Sequence, residues 1–249
     1  MSFFDLFKKQ PTLDSLAPLR VDMHSHLLPG IDDGAQTMED SLELIKRMAD
    51  LGYTELWTTP HVMADLYPNS TQTILGKLED VRAALRSHGI RIPINAAAEY
   101  LLDEGFAAKI EQDDLLTLPG KRVLVEMSFV SATPLLDQYV FQLQTKGYKV
   151  ILAHPERYLY YRNKRDEYER LHARGVDFQV NLLSLSGHYG TPTYENALFL
   201  LENGMVDYFG TDLHHATHAD KLAALTEDKR SSRLLAKYIE RGKNAGLAA

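Results

Sequence analysis

Near the front of the chain two histidines stand one residue apart, in Val21-Asp22-Met23-His24-Ser25-His26, and a pair of aspartates follows in Gly30-Ile31-Asp32-Asp33-Gly34. Alternate side chains of an extended strand share a face, so His24 and His26 point the same way. Two imidazoles on one side of a strand end can hold one metal ion. An isolated H-x-H is more often a polar strand end than a ligand pair, so the reading depends on partners elsewhere. Apolar runs further along end on such partners: Thr59-Pro60-His61, Ala98-Glu99, Val125-Glu126, Ala153-His154 and Thr211-Asp212-Leu213-His214. With Asp33 in the first loop, these make nine imidazoles or carboxylates. One glutamate after an apolar strand is commonly just a solvated end. Ligand types at six strand ends out of seven are much harder to reach by accident.

Nine donors exceed what one zinc or one magnesium needs. The chain has no cysteine, so the ligands are nitrogen and oxygen, which suits manganese, iron or zinc. Carboxylates bridge ions, so two or three fit. Clustered ions suit hydrolysis, because they lower the pKa of a bound water and clamp the attacking and leaving oxygens. The missing cysteine also excludes disulfides and any thiol nucleophile. No G-x-x-x-x-G-K-[ST], G-x-G-x-x-G or G-x-S-x-G stretch is present, so neither a nucleotide loop nor a serine nucleophile elbow is indicated. Arg157, three residues past His154, can reach over such a site and hold a phosphate in a bidentate way; a plain surface arginine is the competing reading. Asn181 and Ser184 can hydrogen-bond a substrate or a ligand. His188, His215 and His218 sit on the same rim with a weaker case for substrate contact, and His88 and His172 read as surface residues.

The elements that position these residues alternate strand and helix seven times. Strands are predicted at 19–23, 55–59, 92–98, 122–125, 148–153, 176–180 and 205–210. Helices are predicted at about 38–51, 70–88, 103–111, 133–146, 164–174, 191–203 and 219–245. Thr37 caps the first helix and Gly52 ends it; Thr191-Pro192 open the sixth and Gly204 ends it. Several strands are nearly continuous apolar runs, as buried parallel strands are. No Pro/Gly/Ser-rich linker interrupts the series. One α/β domain follows, as an open doubly wound sheet or a closed barrel. In a barrel, all nine donors fall on the carboxyl-end face, where such folds place their active sites.

The formal charge of −7 argues against electrostatic nucleic-acid binding. No apolar run approaches the roughly 20 residues of a membrane span. Ser2 to Lys9 is apolar but too short, with charges in the wrong order for a secretory signal. Residues 1–19 read as an N-terminal arm, packed or disordered, with docking on a membrane-bound partner as the lesser alternative; residues 20–249 form the domain. A cytoplasmic location is the default expectation.

The motifs together resemble the polymerase-and-histidinol-phosphatase (PHP) superfamily. Those carrying the resemblance are His24-Ser25-His26, Asp33-Gly34, Thr59-Pro60-His61, Ala98-Glu99-Tyr100, Val125-Glu126-Met127, Ala153-His154-Pro155-Glu156-Arg157-Tyr158 and Thr211-Asp212-Leu213-His214. The D-x-H-S-H opening, the I-D-D-G loop and the H-P-E-R-Y segment resemble its bacterial capsule-type protein tyrosine phosphatases. The resemblance implies a distorted seven-stranded (β/α)7 barrel with three divalent ions, manganese first, with iron or zinc as alternatives. It implies that His24, His26, Glu99 and Asp212 hold the first ion. Glu99, Glu126 and His154 would hold the second, and Asp33, His61 and His214 the third. Arg157 matches the arginine that binds the phosphoryl group, so the implied catalytic set is Arg157 with His24, Glu99 and Asp212. The implied substrate is a phosphotyrosine protein, such as the tyrosine-rich tail of a polysaccharide-assembly kinase, and the implied role is control of capsule or exopolysaccharide synthesis. Relatives often carry a second arginine after the last metal histidine; here the loop reads His215-Ala216-Thr217-His218-Ala219-Asp220, leaving His215 or His218 as stand-ins. The rival readings are a small-molecule phosphatase of histidinol-phosphate or sugar-phosphate type, and a non-catalytic phosphotyrosine-binding protein on the same fold. The complete donor set speaks against the second.

Overall fold

In the computed structural model, which describes residues 12–248, helix α1 (Met38–Asp50) starts where its cap predicts. The Thr37 hydroxyl accepts the Asp40 N–H at 3.1 Å, and the Asp40 carboxylate accepts the Thr37 N–H at 3.0 Å. This reciprocal pair satisfies two donors that the helix start would otherwise leave open. Leu42, Ile45 and Met48 lie on the buried face. Gly52 ends the turn at φ +102°, a conformation side chains resist, and a Cβ there would meet Ala17 at 2.9 Å.

The strands are β1 (Val21–Asp22), β2 (Glu55–Thr58), β3 (His61–Val62), β4 (Ile94–Ala96), β5 (Glu99–Leu101), β6 (Arg122–Glu126), β7 (Lys149–Ala153), β8 (Val176–Asn181) and β9 (Tyr208–Gly210). They alternate with α1, α2 (Thr71–Ser87), α3 (Phe106–Gln112), α4 (Leu136–Thr145), α5 (Arg165–Ala173) and α6 (Thr191–Glu202), and α7 (Ala216–Glu227) and α8 (Lys229–Tyr238) follow β9. All strand pairings are parallel, in the orders β1-β2-β4 and β3-β5-β6-β7-β8-β9.

Among the described residues nine strands therefore stand where seven are predicted, because the second and third are each broken in two. Pro60 lacks the N–H that would continue the ladder between β2 and β3. At the matching point Ala97 turns its N–H to Thr58 O and Ala98 to Leu116 O. The outer halves, β3 and β5, re-pair with His61 opposite Glu99. Two predicted ligands thus sit side by side inside strands rather than in loops after them. This is the distortion of the barrel.

Its seam is between β1 and β9. Ser25 and Leu213 form a parallel bridge, His26 N–H donates to Leu213 O at 2.8 Å, and Asp212 N–H donates to His24 O at 2.8 Å. Asn244 fastens the lower end, its Nδ2 donating to Val21 O and Phe209 O. Along β6 and β7 the side chains alternate: Val123, Val125, Val150 and Leu152 pack with the helices, while Leu124 and Ile151 face the inner cluster. Glu126 shares the Leu124 face by period two and so points inward.

Leu16 and Leu19 are fully buried in the main core, and Leu13 exchanges two hydrogen bonds with the Ser232 hydroxyl. The predicted arm thus packs on the barrel from Leu13 onward, and residues 1–11 lie outside the described residues. Among the described residues no helix is long and apolar enough to cross a membrane.

Candidate metal centre

All nine predicted donors meet at the carboxyl ends of the strands. His24 Nε2 lies 3.2 Å from Glu99 Oε2 and 3.4 Å from Asp212 Oδ1. His26 Nε2 is 3.5 Å from the same two oxygens and 3.4 Å from His24 Nε2. The other Glu99 oxygen is 3.0 Å from His154 Nε2. His61 Nδ1 is 3.1 Å from Glu99 Oε2 and 2.9 Å from Glu126 Oε1, and its Nε2 faces Asp33 Oδ1 at 3.4 Å. His214 Nε2 is 3.5 Å from that same Asp33 oxygen.

Two ligands on one ion, each at roughly 2.0–2.3 Å, stand no more than about 4.6 Å apart. Among the described residues four overlapping groups have donor atoms within 4.8 Å of one another: His26, Asp33, His61 and His214; His24, His26 and Asp212; His24, Glu99 and His154; and His61, Glu99 and Glu126. The first contains the implied third-ion set with His26 added. Glu99 touches donors of every implied set, as a bridging carboxylate must. Glu126 differs from expectation: it lies 3.9 Å from His154 but 2.9 Å from His61.

The donor set fits divalent cations on its own chemistry. Glu99 Oε2, Glu126 Oε1 and His61 Nδ1 are buried and make no hydrogen bond, although they converge to about 3 Å. Buried carboxylates are costly without a compensating cation, and either a protonated histidine or a bound metal ion among them removes that cost. The electrostatics agree. Burial alone would lower the pKa of His24, but Glu99 and Asp212 hold it above its usual value. Burial and His26 would lower His61, yet Glu99 and Glu126 raise it to about 10. Burial would raise Glu99, but His24 and His61 hold it well below the carboxylate range. His214 lowers Asp33 to about 2. The pocket demands positive charge, which histidine protons supply in the absence of metal.

A second ring of contacts fixes the donors. His24 Nδ1 pairs with Gln179 Oε1 at 2.7 Å, Gln179 Nε2 donates to Asn181 Oδ1, and Asn181 Nδ2 donates to Asp212 Oδ2 at 2.7 Å. His26 Nδ1 pairs with Asp32 Oδ2 at 2.8 Å, and Asp32 also accepts the Gly34 and His61 N–H groups. Such partners set ring orientation and basicity. Two glycines leave room for this ring. A Cβ on Gly34 would stand 2.2 Å from His26 O, and one on Gly210 would stand 2.5 Å from Gln179 Nε2 and 2.9 Å from His24 Cβ. His154 (φ 36°) and Asp212 (φ 50°) hold left-handed backbone, a strain that recurs at functional sites.

Arg157 lies over the cleft. Its Nη1 donates to Asp212 Oδ2 at 2.9 Å, and its guanidinium is sandwiched between the rings of Phe129 (4.3 Å) and Tyr189 (4.4 Å). The cleft has a volume of about 280 Å³ and is lined by donors together with Phe129, Arg157, Tyr189, His215 and His218. Next to Arg157, Glu156 is buried and accepts the Asn181 N–H and the Ser184 hydroxyl. Ser184 thus braces the H-P-E-R-Y turn, while Asn181 orients a ligand. His88 and His172 lie away from the cleft; His172 pairs with Asp207 at 3.2 Å. His188 stands behind the wall, against Tyr189 and His218.

Sequence reasoning passes over four of these residues. Asp32 reads as turn chemistry. Gln179 shares a strand face with Asn181, a period-two signal that does point to it. Phe129 and Tyr189 carry no signal beyond following the fourth and sixth predicted strands.

A family model described as "Capsular polysaccharide synthesis, CpsB/CapC" matches residues 20–235. The tyrosine-protein phosphatase YwqE of Bacillus subtilis is 26% identical over 196 residues, spanning 78% of this chain and 77% of that protein. The putative tyrosine-protein phosphatase CapC of Staphylococcus aureus is 24% identical over 228 residues, spanning 90% and 89%. A solved chain from work on YwqE of B. subtilis and CpsB of Streptococcus pneumoniae, described as metal-dependent tyrosine phosphatases, superposes with a TM-score of 0.76 at 23% identity, over 89% of this chain and 95% of that one. An amidohydrolase of Mycoplasma synoviae shares the fold more distantly, with a TM-score of 0.51 at 13% identity, over 94% of this chain and 84% of that one. The family match takes in all nine donors and Arg157, and the chain belongs to the CpsB/CapC family of capsular polysaccharide synthesis.

Proposed function

We propose that the protein is a metal-dependent phosphatase of protein phosphotyrosine that regulates capsule or exopolysaccharide synthesis. The observation that carries this reading is the convergence of the buried Glu99 and Glu126 carboxylates with five histidines, beside an open cleft where Arg157 lies against Phe129 and Tyr189. Relatives named as tyrosine phosphatases support it. We assign three divalent ions, manganese first, to the nine donors: His24, His26, Glu99 and Asp212; Glu99, Glu126 and His154; and Asp33, His61 and His214. When bound, such ions supply Lewis acidity and a water activated at neutral pH.

The chain's own residues do the rest. Arg157 presents paired N–H donors to the phosphoryl oxygens, and its two ring neighbours fix the plane of that fork. Gln179 and Asp32 keep His24 and His26 in one tautomer, with Nε2 turned into the cleft. Hydrolysis joins the oxygen of water to phosphorus and breaks the bond from phosphorus to the phenolic oxygen. The leaving phenolate has a conjugate-acid pKa of about 10, so it needs little protonation before it departs. Its proton comes from water: burial lowers the pKa of His215, and that of His218 to about 4, so both imidazoles on the cleft wall are neutral at pH 7. The partner in this reading is a tyrosine-phosphorylated protein such as a kinase of polysaccharide assembly. The location is cytoplasmic, where the ATP that such kinases use is found.

The test is phosphate release from a phosphotyrosine peptide after exhaustive chelation and again after adding manganese. Chelation should abolish release and manganese should restore it, while Glu99→Ala should stay inactive under both conditions. Undiminished release from chelated protein sinks the reading. A faster rate on histidinol phosphate than on the peptide would move it to the small-molecule alternative.

A further inference from the structure

Helix α8 (Lys229–Tyr238) and the turn after it (Ile239–Arg241) show one face to the core and one to solvent. Ser231, Ser232, Leu235, Tyr238 and Ile239 are buried. Lys229, Arg233, Lys237 and Arg241 are exposed and recur every four residues, so they stand one above another along the outer face. Arg230 is a fifth exposed cation. Among the described residues none of the five forms an ion pair. Lys237 and Arg241 lie over the Tyr238 ring at 4.7 and 4.9 Å, and Arg230 donates to the Tyr194 hydroxyl at 3.0 Å. From 229 to 241 the one acid is Glu240, in a chain of formal charge −7. Glu227 and Asp228 stand just before the helix, where Asp228 caps it by accepting the Ser231 N–H at 2.8 Å. Like charges at a four-residue spacing repel, and Lys229 and Arg230 occupy the positive end of the helix dipole. The stripe therefore weakens α8 on its own, and an anionic surface outside the protein reverses the sign of both effects.

The chain joins the barrel on this same helix. Leu13 exchanges two hydrogen bonds with the Ser232 hydroxyl, next to Arg233. The sequence before it includes Ser2-Phe3-Phe4-Asp5-Leu6-Phe7-Lys8-Lys9, three phenylalanines and a leucine beside two further cations. A chain covers at most about 3.6 Å per residue. Lys9, four residues before Leu13, is therefore tethered within about 14 Å of the Leu13 backbone, while the stripe itself is about 18 Å long. Large apolar residues among lysines suit the boundary between lipid headgroups and acyl chains, and the segment is too short to span a bilayer.

We propose that the outer face of α8 and residues 2–9 form one docking surface for an anionic lipid membrane, with the cations against the headgroups and the phenylalanines in the boundary below them. An acidic protein would answer the cations alone; the four large apolar residues tethered beside them favour lipid. Stable anchoring takes two signals, such as apolar insertion and a basic patch, and this surface carries both. Anionic lipid of the cytoplasmic leaflet attracts basic segments of this kind. The surface is independent of the reaction assigned to the metal centre.

The experiment is sedimentation of the full chain with vesicles of phosphatidylglycerol mixed into phosphatidylcholine, and with vesicles of phosphatidylcholine alone. Binding should appear only with the anionic lipid and weaken as salt is raised. A cation near such a surface is worth about fivefold in affinity. Lys229→Gln/Arg233→Gln/Lys237→Gln/Arg241→Gln should therefore weaken binding by about 100-fold or more. The milder Arg233→Gln/Lys237→Gln covers the case in which the fourfold variant fails to fold, and should weaken it by about 20-fold. Phe3→Ser/Phe4→Ser/Phe7→Ser should weaken it by about tenfold or more. Arg86→Gln/Lys149→Gln, at two exposed cations elsewhere on the barrel, should bind as the natural chain does. Equal sedimentation with both kinds of vesicle, or binding that survives either the α8 or the phenylalanine replacements, overturns the proposal. So does capture by polyglutamate as tight as that by the anionic vesicles and indifferent to the phenylalanine replacements, which would assign the face to an acidic protein.

Discussion

Replacing Gly34 with alanine tests whether the second ring of contacts holds the metal centre. The new Cβ would stand 2.2 Å from His26 O and 2.4 Å from His26 Cβ, so one partner must move by about 1 Å to reach an ordinary contact. His26 cannot retreat. Its N–H is bonded to Leu213 O at 2.8 Å, and its carbonyl accepts the Ala35 N–H at 3.1 Å. The loop must open instead, which pulls Asp32 from His26 Nδ1 and from the Gly34 N–H. Overpacking of this kind costs about 1–3 kcal/mol, or about 2–12 °C in Tm for a chain of this size. Loss of the Asp32 contact should weaken metal binding by about 10- to 100-fold. Calorimetric titration of manganese and a thermal melt measure both effects. Gly76→Ala is the matched control: it lies in α2 with nothing within 4 Å of its added Cβ, and it should stabilise by about 0.5–1 kcal/mol. A Gly34→Ala protein with unchanged metal affinity and a Tm within about 1 °C of the natural chain would refute the account of this ring.

Arg157→Lys keeps the charge but loses the flat fork held between Phe129 and Tyr189, so kcat/KM on a phosphotyrosine peptide should fall by about tenfold or more while metal content stays constant. A parallel loss of metal would show that Arg157 supports the donors instead. Metal binding should also release protons, because His61 is held to about 10 by Glu99 and Glu126 against burial and must be neutral to act as a ligand. Calorimetry at pH 7 in buffers of different ionisation heat reads this directly, and an unchanged apparent enthalpy would contradict it. In metal-free protein the raised His61 value contributes stability that is fully present below pH 6.5 and lost as pH rises to about 10. The metal-loaded form should lack that slope.

Eight of the nine donors were legible because they stand at the ends of apolar runs, and the parallel barrel brings such ends to one face; Asp33 lies in the first loop and joined them through the I-D-D-G motif. Helix starts and stops were legible where a side chain or a missing Cβ acts locally, as at Thr37 and Gly52. The breaks in the second and third strands were half visible. Pro60 announces one, but Ala96-Ala97-Ala98 carries no feature that separates a kink from a straight strand. Asp32 was hidden because a turn aspartate and one that orients an imidazole look alike in sequence. Phe129 and Tyr189 belong to loops whose course depends on packing, and only the fold shows that both rings close on Arg157.

The seam between β1 and β9 also bears on biosynthesis. His24 and His26 leave the ribosome first, and Asp212 and His214 emerge near the end, followed by Asn244, which ties the two edges together. Contacts spanning nearly the whole chain form late in folding. A nascent or truncated chain that stops before β9 lacks two of the nine donors and the strand that steadies His24 and His26. On the proposed assignment, metal loading would be coupled to completion of the polypeptide, because the nine donors come together only once β9 has closed the seam.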